Sequence, residues 1–119
     1  MNKRILVIDD EPDIVKVIKA RLEHNHYEVT EAFDGESGLA TMKEKRPDLI
    51  LLDLRMPKMD GHTFVKYLRA DAQFNNIPVI MLTAMDRITE MAPNENVQDY
   101  IVKPYDFGEL LKKVKKQLG

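Results

Sequence analysis

Asp9, Asp10 and Glu11 stand in a row behind an apolar run at residues 5–8. Asp53 follows a second such run at 49–52, Thr83 and Ala84 follow a third at 79–82, and Lys103 ends a shorter one at 100–102. Carboxylates brought together at one place repel, by about 4 kcal/mol for two unit charges ~4 Å apart at an effective dielectric of 20. A shared proton or a hard cation relieves that repulsion. Oxygen ligands at a solvent-facing edge suit Mg²⁺, which keeps some waters and commonly joins carboxylates to a phosphate. Lys103 adds a positive point charge and Thr83 a hydroxyl. Acids, a hydroxyl and a lysine are the components of a site for a phosphoryl group and its metal. The plainer alternative is that each acid solvates a loop or caps a helix, as Asp10 or Glu11 would for a helix starting near Pro12. That alternative must be invoked separately for every residue, whereas a site needs only one arrangement.

The elements that would position these residues are legible. The runs at 5–8, 49–52 and 79–82 are continuous Val/Ile/Leu/Met without polar alternation, the mark of strands buried on both faces of a parallel sheet. Residues 27–33 are mixed, with Glu28, Thr30 and Glu31, and read as an edge strand. Residues 100–102 form a fifth strand, stopped by Pro104. Helical patterns lie between. Ile14, Ile18 and Leu22 repeat at i, i+4, i+8, with Pro12 in the first turn. Leu39, Met42 and Ala40 face inward in the second helix; Phe64, Val65 and Leu68 do so in the third, which starts at Asp60-Gly61. A fourth, with Ile88, Met91 and Ala92, is cut short by Pro93. Phe107, Leu110, Leu111, Val114 and Leu118 form the stripe of the last, opposite Lys112, Lys113, Lys115 and Lys116. Strands alternating with helices imply an α/β fold, a parallel sheet covered on both faces by right-handed crossovers. Ligands of open α/β sheets bind beyond the carboxyl ends of the strands, where Asp9, Asp10, Asp53, Thr83 and Lys103 fall. Asp34-Gly35, after the second strand, reads as turn chemistry.

Composition narrows the field. The 119 residues allow one domain, residues 1–119. There is no cysteine, which excludes a disulfide scaffold, a thiolate zinc site and a cysteine nucleophile. Eighteen basic and 20 acidic residues give a net charge of −2, so direct nucleic-acid binding is not expected. No apolar run approaches the length of a membrane span or a secretory signal, so the expected location is cytoplasmic.

The set resembles the receiver domain of two-component response regulators over the whole chain. The motifs are Asp9-Asp10, Asp53, Met56-Pro57, Asp60-Gly61, Thr83-Ala84, and Asp99-Tyr100 leading to Lys103-Pro104. The resemblance implies a flavodoxin-like, doubly wound (βα)5 three-layer sandwich with strand order 2-1-3-4-5, which sets the first and third strands side by side. It implies Asp53 as phosphoacceptor from the phosphohistidine of a sensor histidine kinase or phosphotransfer protein. Mg²⁺ would be held by Asp10, Asp53 and the backbone carbonyl of Arg55, with Asp9 acting through water. Lys103 would pair with the phosphate. Thr83 would move onto a phosphate oxygen and Tyr100 would turn inward, altering the surface of the fourth helix, fifth strand and fifth helix. That surface would meet an effector domain or downstream protein, and the chain would be a monomer or a phosphorylation-dependent homodimer. The resemblance also implies a cis bond at Lys103-Pro104.

Asn96-Val97 stands where the family commonly has Gly-Ala, and Pro93 shortens the fourth helix to about residues 86–92. Arg55 and Met85, two residues past Asp53 and Thr83, point to slow self-dephosphorylation. A chain of this kind assists its own phosphorylation without being a turnover enzyme. The competing readings are a Mg²⁺-dependent aspartyl-nucleophile phosphatase, a flavin-binding module and a receiver-like binding platform. The first needs a second Asp where Arg55 stands, and the second a phosphate loop where three acids stand. His24 and His26 read as a solvated helix end, His62 as a residue facing water, and the lysines at 112–116 as a solvated face. Met56 and Met59 read as gap fillers or as a soft contact for a partner helix.

Overall fold

A computed structural model describes residues 2–84, 97–103 and 105–119. Its elements in chain order are β1 (Arg4–Ile8), α1 (Pro12–His24), β2 (Glu28–Ala32), α2 (Gly35–Glu44), β3 (Leu49–Asp53), α3 (Gly61–Ala70), β4 (Val79–Ala84), β5 (Asp99–Lys103) and α4 (Phe107–Leu118). The five strands are parallel, in the order β2-β1-β3-β4-β5. The sequence expectation of the fold class and strand order therefore holds. The fourth helix expected at 86–92, Met85, Asn96 and the peptide bond at Pro104 lie outside the described residues.

The sheet is the core. Every residue of β3 is buried, and so are the four apolar residues of β1. Alternate side chains serve two apolar layers. Leu6, Ile8, Ile50, Leu52 and Met81 join Phe64, Val65 and Leu68 of α3 on one face. Ile5, Val7, Leu49, Leu51, Ile80 and Leu82 meet Val15, Ile18, Leu22, Leu110 and Val114 on the other. Burial of this much aliphatic surface, at about 25 cal/mol per Å², is the main stabilising term. β2 is an edge strand with only Val29 and Ala32 buried, as its mixed sequence required.

Side-chain directions depart from expectation in three helices. On α1 the buried stripe is Val15, Ile18 and Leu22, with Ile14 at its margin. On α2 Ala40 is exposed, and Gly38 takes the buried place beside Met42. A Cβ at Gly38 would stand 2.6 Å from Ile8 Cδ1, so the helix seats closely because no side chain intervenes. On α4 Lys113 is not simply solvated: its Nζ donates to Asp99 Oδ1 at 3.0 Å and to the Tyr100 carbonyl at 2.8 Å. His24 closes α1 and is exposed, while His62 is half-buried rather than facing water.

The helix starts anchor the loops of the sheet's carboxyl edge. Asp34, expected as turn chemistry, is the N-cap of α2 and accepts from Ser37 N–H at 2.7 Å. Asp60 caps α3 by accepting from Thr63 N–H at 2.9 Å. Gly61 N–H then donates to Leu54 O at 2.8 Å, drawing the start of α3 onto the end of β3. Met56 is buried, and Met59 packs on the core against Gly35. Met56 thus fills a gap in the core, and Met59 is partly buried against it.

Candidate functional site

Three acids meet where β1 and β3 end. The chain leaves β1 through Asp9, whose carboxylate is fully buried. Its Oδ1 accepts from Glu11 N–H at 3.0 Å, which turns the chain into α1. Glu11 is the N-cap residue of α1, but its side chain makes no capping hydrogen bond, so the capping alternative does not account for these acids. Asp10 is exposed on the rim. Asp53 closes β3 opposite Leu82 and is 4% exposed. One carboxylate oxygen from each of Asp9, Asp10 and Asp53 lies within 4.8 Å of the others.

Lys103 ends β5 beside Ala84 of β4 and reaches across β4 and β3 to these acids. Its Nζ lies 3.3 Å from Asp9 Oδ2, 3.5 Å from Asp53 Oδ1 and 3.4 Å from Glu11 Oε1. An open cleft of about 530 Å³ gives access from solvent, lined by Asp10, Asp53, Arg55, Ala84 and Lys103 among others.

One ammonium does not balance this much negative charge. Burial, reinforced by the charge of Asp9, pushes the Asp53 carboxyl up to about 7, against the opposing pull of Lys103 and the Arg55 N–H. Burial raises Asp9 as well, outweighing its hydrogen bond from Glu11 and the charge of Lys103. For Lys103, burial is the largest single influence and lowers its pKa. The charges of Asp53 and Asp9 outweigh it, so Lys103 titrates above its ordinary range. The site thus calls for a further positive charge. Its donors are all oxygens, and Asp9 Oδ2 is buried with no hydrogen-bond partner. That donor set fits a hard divalent cation.

The remaining expected residues are placed differently. Thr83 is buried, and its hydroxyl donates to the Ala84 carbonyl at 3.2 Å. The backbone N–H of Arg55 reaches Asp53 Oδ1 at 3.4 Å. Tyr100 lies beside Met81, away from the strand ends, and is 41% exposed. Two residues at the site were not singled out from the sequence. Glu11 pairs with Lys103 from the opposite end of the chain; its only signal was its place in the acidic triplet. Tyr105 lies against Lys103, with Nζ 5.9 Å from its ring centroid, and nothing in the linear pattern marked it.

Fold and cleft together define a doubly wound α/β domain with an acidic, lysine-bearing pocket at its topological switch point. The response regulator receiver domain matches residues 5–115, and the chain belongs to that family. Among curated relatives it is 42% identical, over 94% of its length, to the DNA-binding dual master transcriptional regulator RpaA of Synechocystis sp.. It is 39% identical, over 97% of its length, to the alkaline phosphatase synthesis transcriptional regulatory protein PhoP of Bacillus subtilis. The chain spans about half the length of these relatives, 47% and 48%. Among solved structures, the Francisella response regulator 1452 receiver domain is 34% identical with a TM-score of 0.85, covering 98% of this chain and 96% of that one. The chemotaxis response regulator CheY4 of Vibrio cholerae is 29% identical with a TM-score of 0.89, covering 98% of this chain and 99% of that one. Receiver domains are signalling modules that interact with histidine kinases and effector domains. Among the described residues no helix is long and apolar enough to cross a membrane.

Proposed function

We propose that this chain is the phosphoacceptor of a two-component system, and that Asp53 takes a phosphoryl group from the phosphohistidine of a sensor histidine kinase or phosphotransfer protein. The observation that carries the reading is the buried Asp53 carboxylate, 3.5 Å from Lys103 and beside two further acids in a cleft open to solvent. An oxygen of Asp53 attacks phosphorus; the new O–P bond forms as the P–N bond breaks, and its electron pair returns to the imidazole. Lys103 holds positive charge where the transferring group carries negative charge. Mg²⁺ is the cation that suits the oxygen donors: Asp10, Asp53 and the Arg55 carbonyl would hold it, Asp9 would act through water, and the ion would supply the charge that Lys103 alone does not.

Phosphorylation adds about −1.5 to −2 charge and three acceptor oxygens at Asp53. Thr83, whose hydroxyl donates to its neighbour's carbonyl, is the donor that turns toward them. Tyr100, exposed at rest, takes the space Thr83 leaves, and the surface around β5 and α4 changes with it. Kinase, effector and oligomeric response belong to the same proposal, as does a cytoplasmic location. A phosphatase is disfavoured because Arg55 occupies the place of its general acid.

The test is intact mass after incubation with Mg²⁺ and acetyl phosphate, beside Asp53→Asn and an EDTA control. One added phosphoryl group, absent from both controls, supports the reading. No addition, with beryllofluoride also failing to bind, leaves a receiver-like binding platform instead.

A further inference from the structure

Tyr100 stands in β5, the last strand of the sheet, where backbone groups on the open side have no neighbouring strand to bond. Two side chains serve its backbone instead. The Tyr100 N–H donates to Asp99 Oδ1 at 2.8 Å, and its carbonyl accepts from Lys113 Nζ at 2.8 Å. Asp99 and Lys113 are themselves paired, Oδ1 to Nζ at 3.0 Å. The same ammonium lies 5.6 Å from the centroid of the Tyr100 ring. One lysine of α4 thus meets the backbone of Tyr100, its neighbour's carboxylate and its ring.

These contacts differ in what they favour. The Tyr100 carbonyl stays in place whichever way the ring turns, because β5 is fixed by its pairing with β4. With the Asp99 carboxylate it anchors the ammonium. The ring contact exists only while the ring lies on the outside, where Tyr100 is 41% exposed. A cation near an aromatic face is attracted by the negative charge of the π system. An anchored ammonium beside a movable ring therefore stabilises one position of that ring and not the other. An equilibrium shifts only by such a difference between its two states.

That preference reaches the acceptor by linkage. On the phosphoacceptor reading above, the phosphorylated state is the one with the ring turned inward. Whatever holds the ring outward then weakens the binding of a phosphoryl group at Asp53, and whatever frees it strengthens that binding by the same factor. Tyr100 lies beside Met81, away from the strand ends, so Lys113 acts on this equilibrium and not on the reacting atoms.

We propose that Lys113 is a positioning residue: anchored by Asp99 and the Tyr100 carbonyl, its ammonium latches the Tyr100 ring outward in the resting chain, and phosphorylation of Asp53 has to overcome that latch. This role rests on the phosphoacceptor reading and on the inward turn of Tyr100 that belongs to it. The latch keeps the surface around β5 and α4 in its resting form while Asp53 carries no phosphoryl group.

The test uses the full chain, with beryllofluoride and Mg²⁺ standing in for the phosphoryl group, and two readouts. The first is NMR of protein carrying ring-¹³C-labelled tyrosine, in which Tyr100→Phe identifies the Tyr100 resonance. Lys113→Ala without beryllofluoride should move that resonance toward the position it takes in wild type with beryllofluoride. The second is the beryllofluoride concentration at half-saturation, at fixed Mg²⁺. It should fall about two- to fivefold in Lys113→Ala, the factor that one cation–ring contact at an exposed site represents. Lys113→Arg keeps the cation and should match wild type in both. Lys112→Ala removes the same charge from the exposed neighbouring position and should change neither. A Lys113→Ala chain that keeps the wild-type resonance or the wild-type half-saturation, or a Lys112→Ala chain that shows the same changes, overturns the latch while leaving Asp53 as acceptor. A Tyr100 resonance that beryllofluoride leaves unmoved in wild type does the same. A wild-type chain that neither binds beryllofluoride nor gains mass with acetyl phosphate overturns the phosphoacceptor reading, and the latch with it.

Discussion

The ammonium of Lys103 stands 3.5 Å from Asp53 Oδ1, although the two residues end strands that do not touch. β4 lies between them, and only a side chain as long as lysine spans that gap. The pairing holds one cation over a carboxylate that burial would otherwise keep protonated.

Lys103→Ala should therefore slow phosphorylation by acetyl phosphate about 10²-fold, the usual effect of removing one preorganised charge from a transferring group. The same change leaves Asp9 and Asp53 without their ammonium. Rates from intact-mass time courses check the first effect. The second is a loss of stability at pH 8 that shrinks toward pH 5, where Asp53 carries a proton.

The raised Asp53 carboxyl gives a signed pH dependence. Folded Asp53 titrates at about 7, against about 3.9 for an unperturbed Asp. Between these values the folded state holds a proton that the unfolded state has released. Stability without metal should then fall as pH rises from about 4 to about 7 and level off above. Asp53→Asn should flatten that decline and be more stable than wild type by about 1–3 kcal/mol at pH 8. Mg²⁺ should raise the wild-type midpoint at pH 8 by mass action and leave Asp53→Asn little changed. Thermal melts across pH, with Mg²⁺ and with EDTA, measure all three effects.

Gly61 is the close-approach point beneath the acceptor. A Cβ there would stand 2.9 Å from the Asp53 carbonyl, 3.0 Å from Leu54 Cα and 2.8 Å from Met81 Sδ. Two of these three atoms belong to backbone and cannot swing aside. Gly61→Ala should cost about 1–3 kcal/mol by overpacking and should also slow phosphorylation, because the strain falls on the end of β3. Denaturant midpoints and acetyl phosphate rates on the same sample test both.

Lys113 ties Asp99 and the Tyr100 carbonyl to α4, and its Nζ lies 5.6 Å from the Tyr100 ring centroid. Both acceptors are partly open to solvent, so Lys113→Ala should change stability by no more than about 1 kcal/mol. Its larger effect should be on Tyr100, whose ring resonances should broaden or shift in the unphosphorylated chain.

Much of this was legible in the sequence because the strands are short and apolar to their ends. Asp9, Asp53 and Lys103 each stand at or just beyond a strand end, so the parallel sheet alone places them on one edge. Packing at atomic scale was less legible. Val15 was missed because spacing from Ile14 fits a stripe at i+4 and i+8, while the buried side of α1 also needs i+3. Gly38 gave no signal because its contribution is an absent side chain that lets Ile8 through. The pairing of Lys103 with Glu11 joins opposite ends of the chain. No local pattern encodes such a meeting.

The most direct test of Asp53 as acceptor is to locate the modified residue. After Mg²⁺ and acetyl phosphate, borohydride reduces an aspartyl phosphate to homoserine, and peptide mass spectrometry reads the position. Homoserine at residue 53 is the expected result. Homoserine at Asp9 or Asp10, or an unmodified Asp53 in protein that has gained a phosphoryl group, would contradict it.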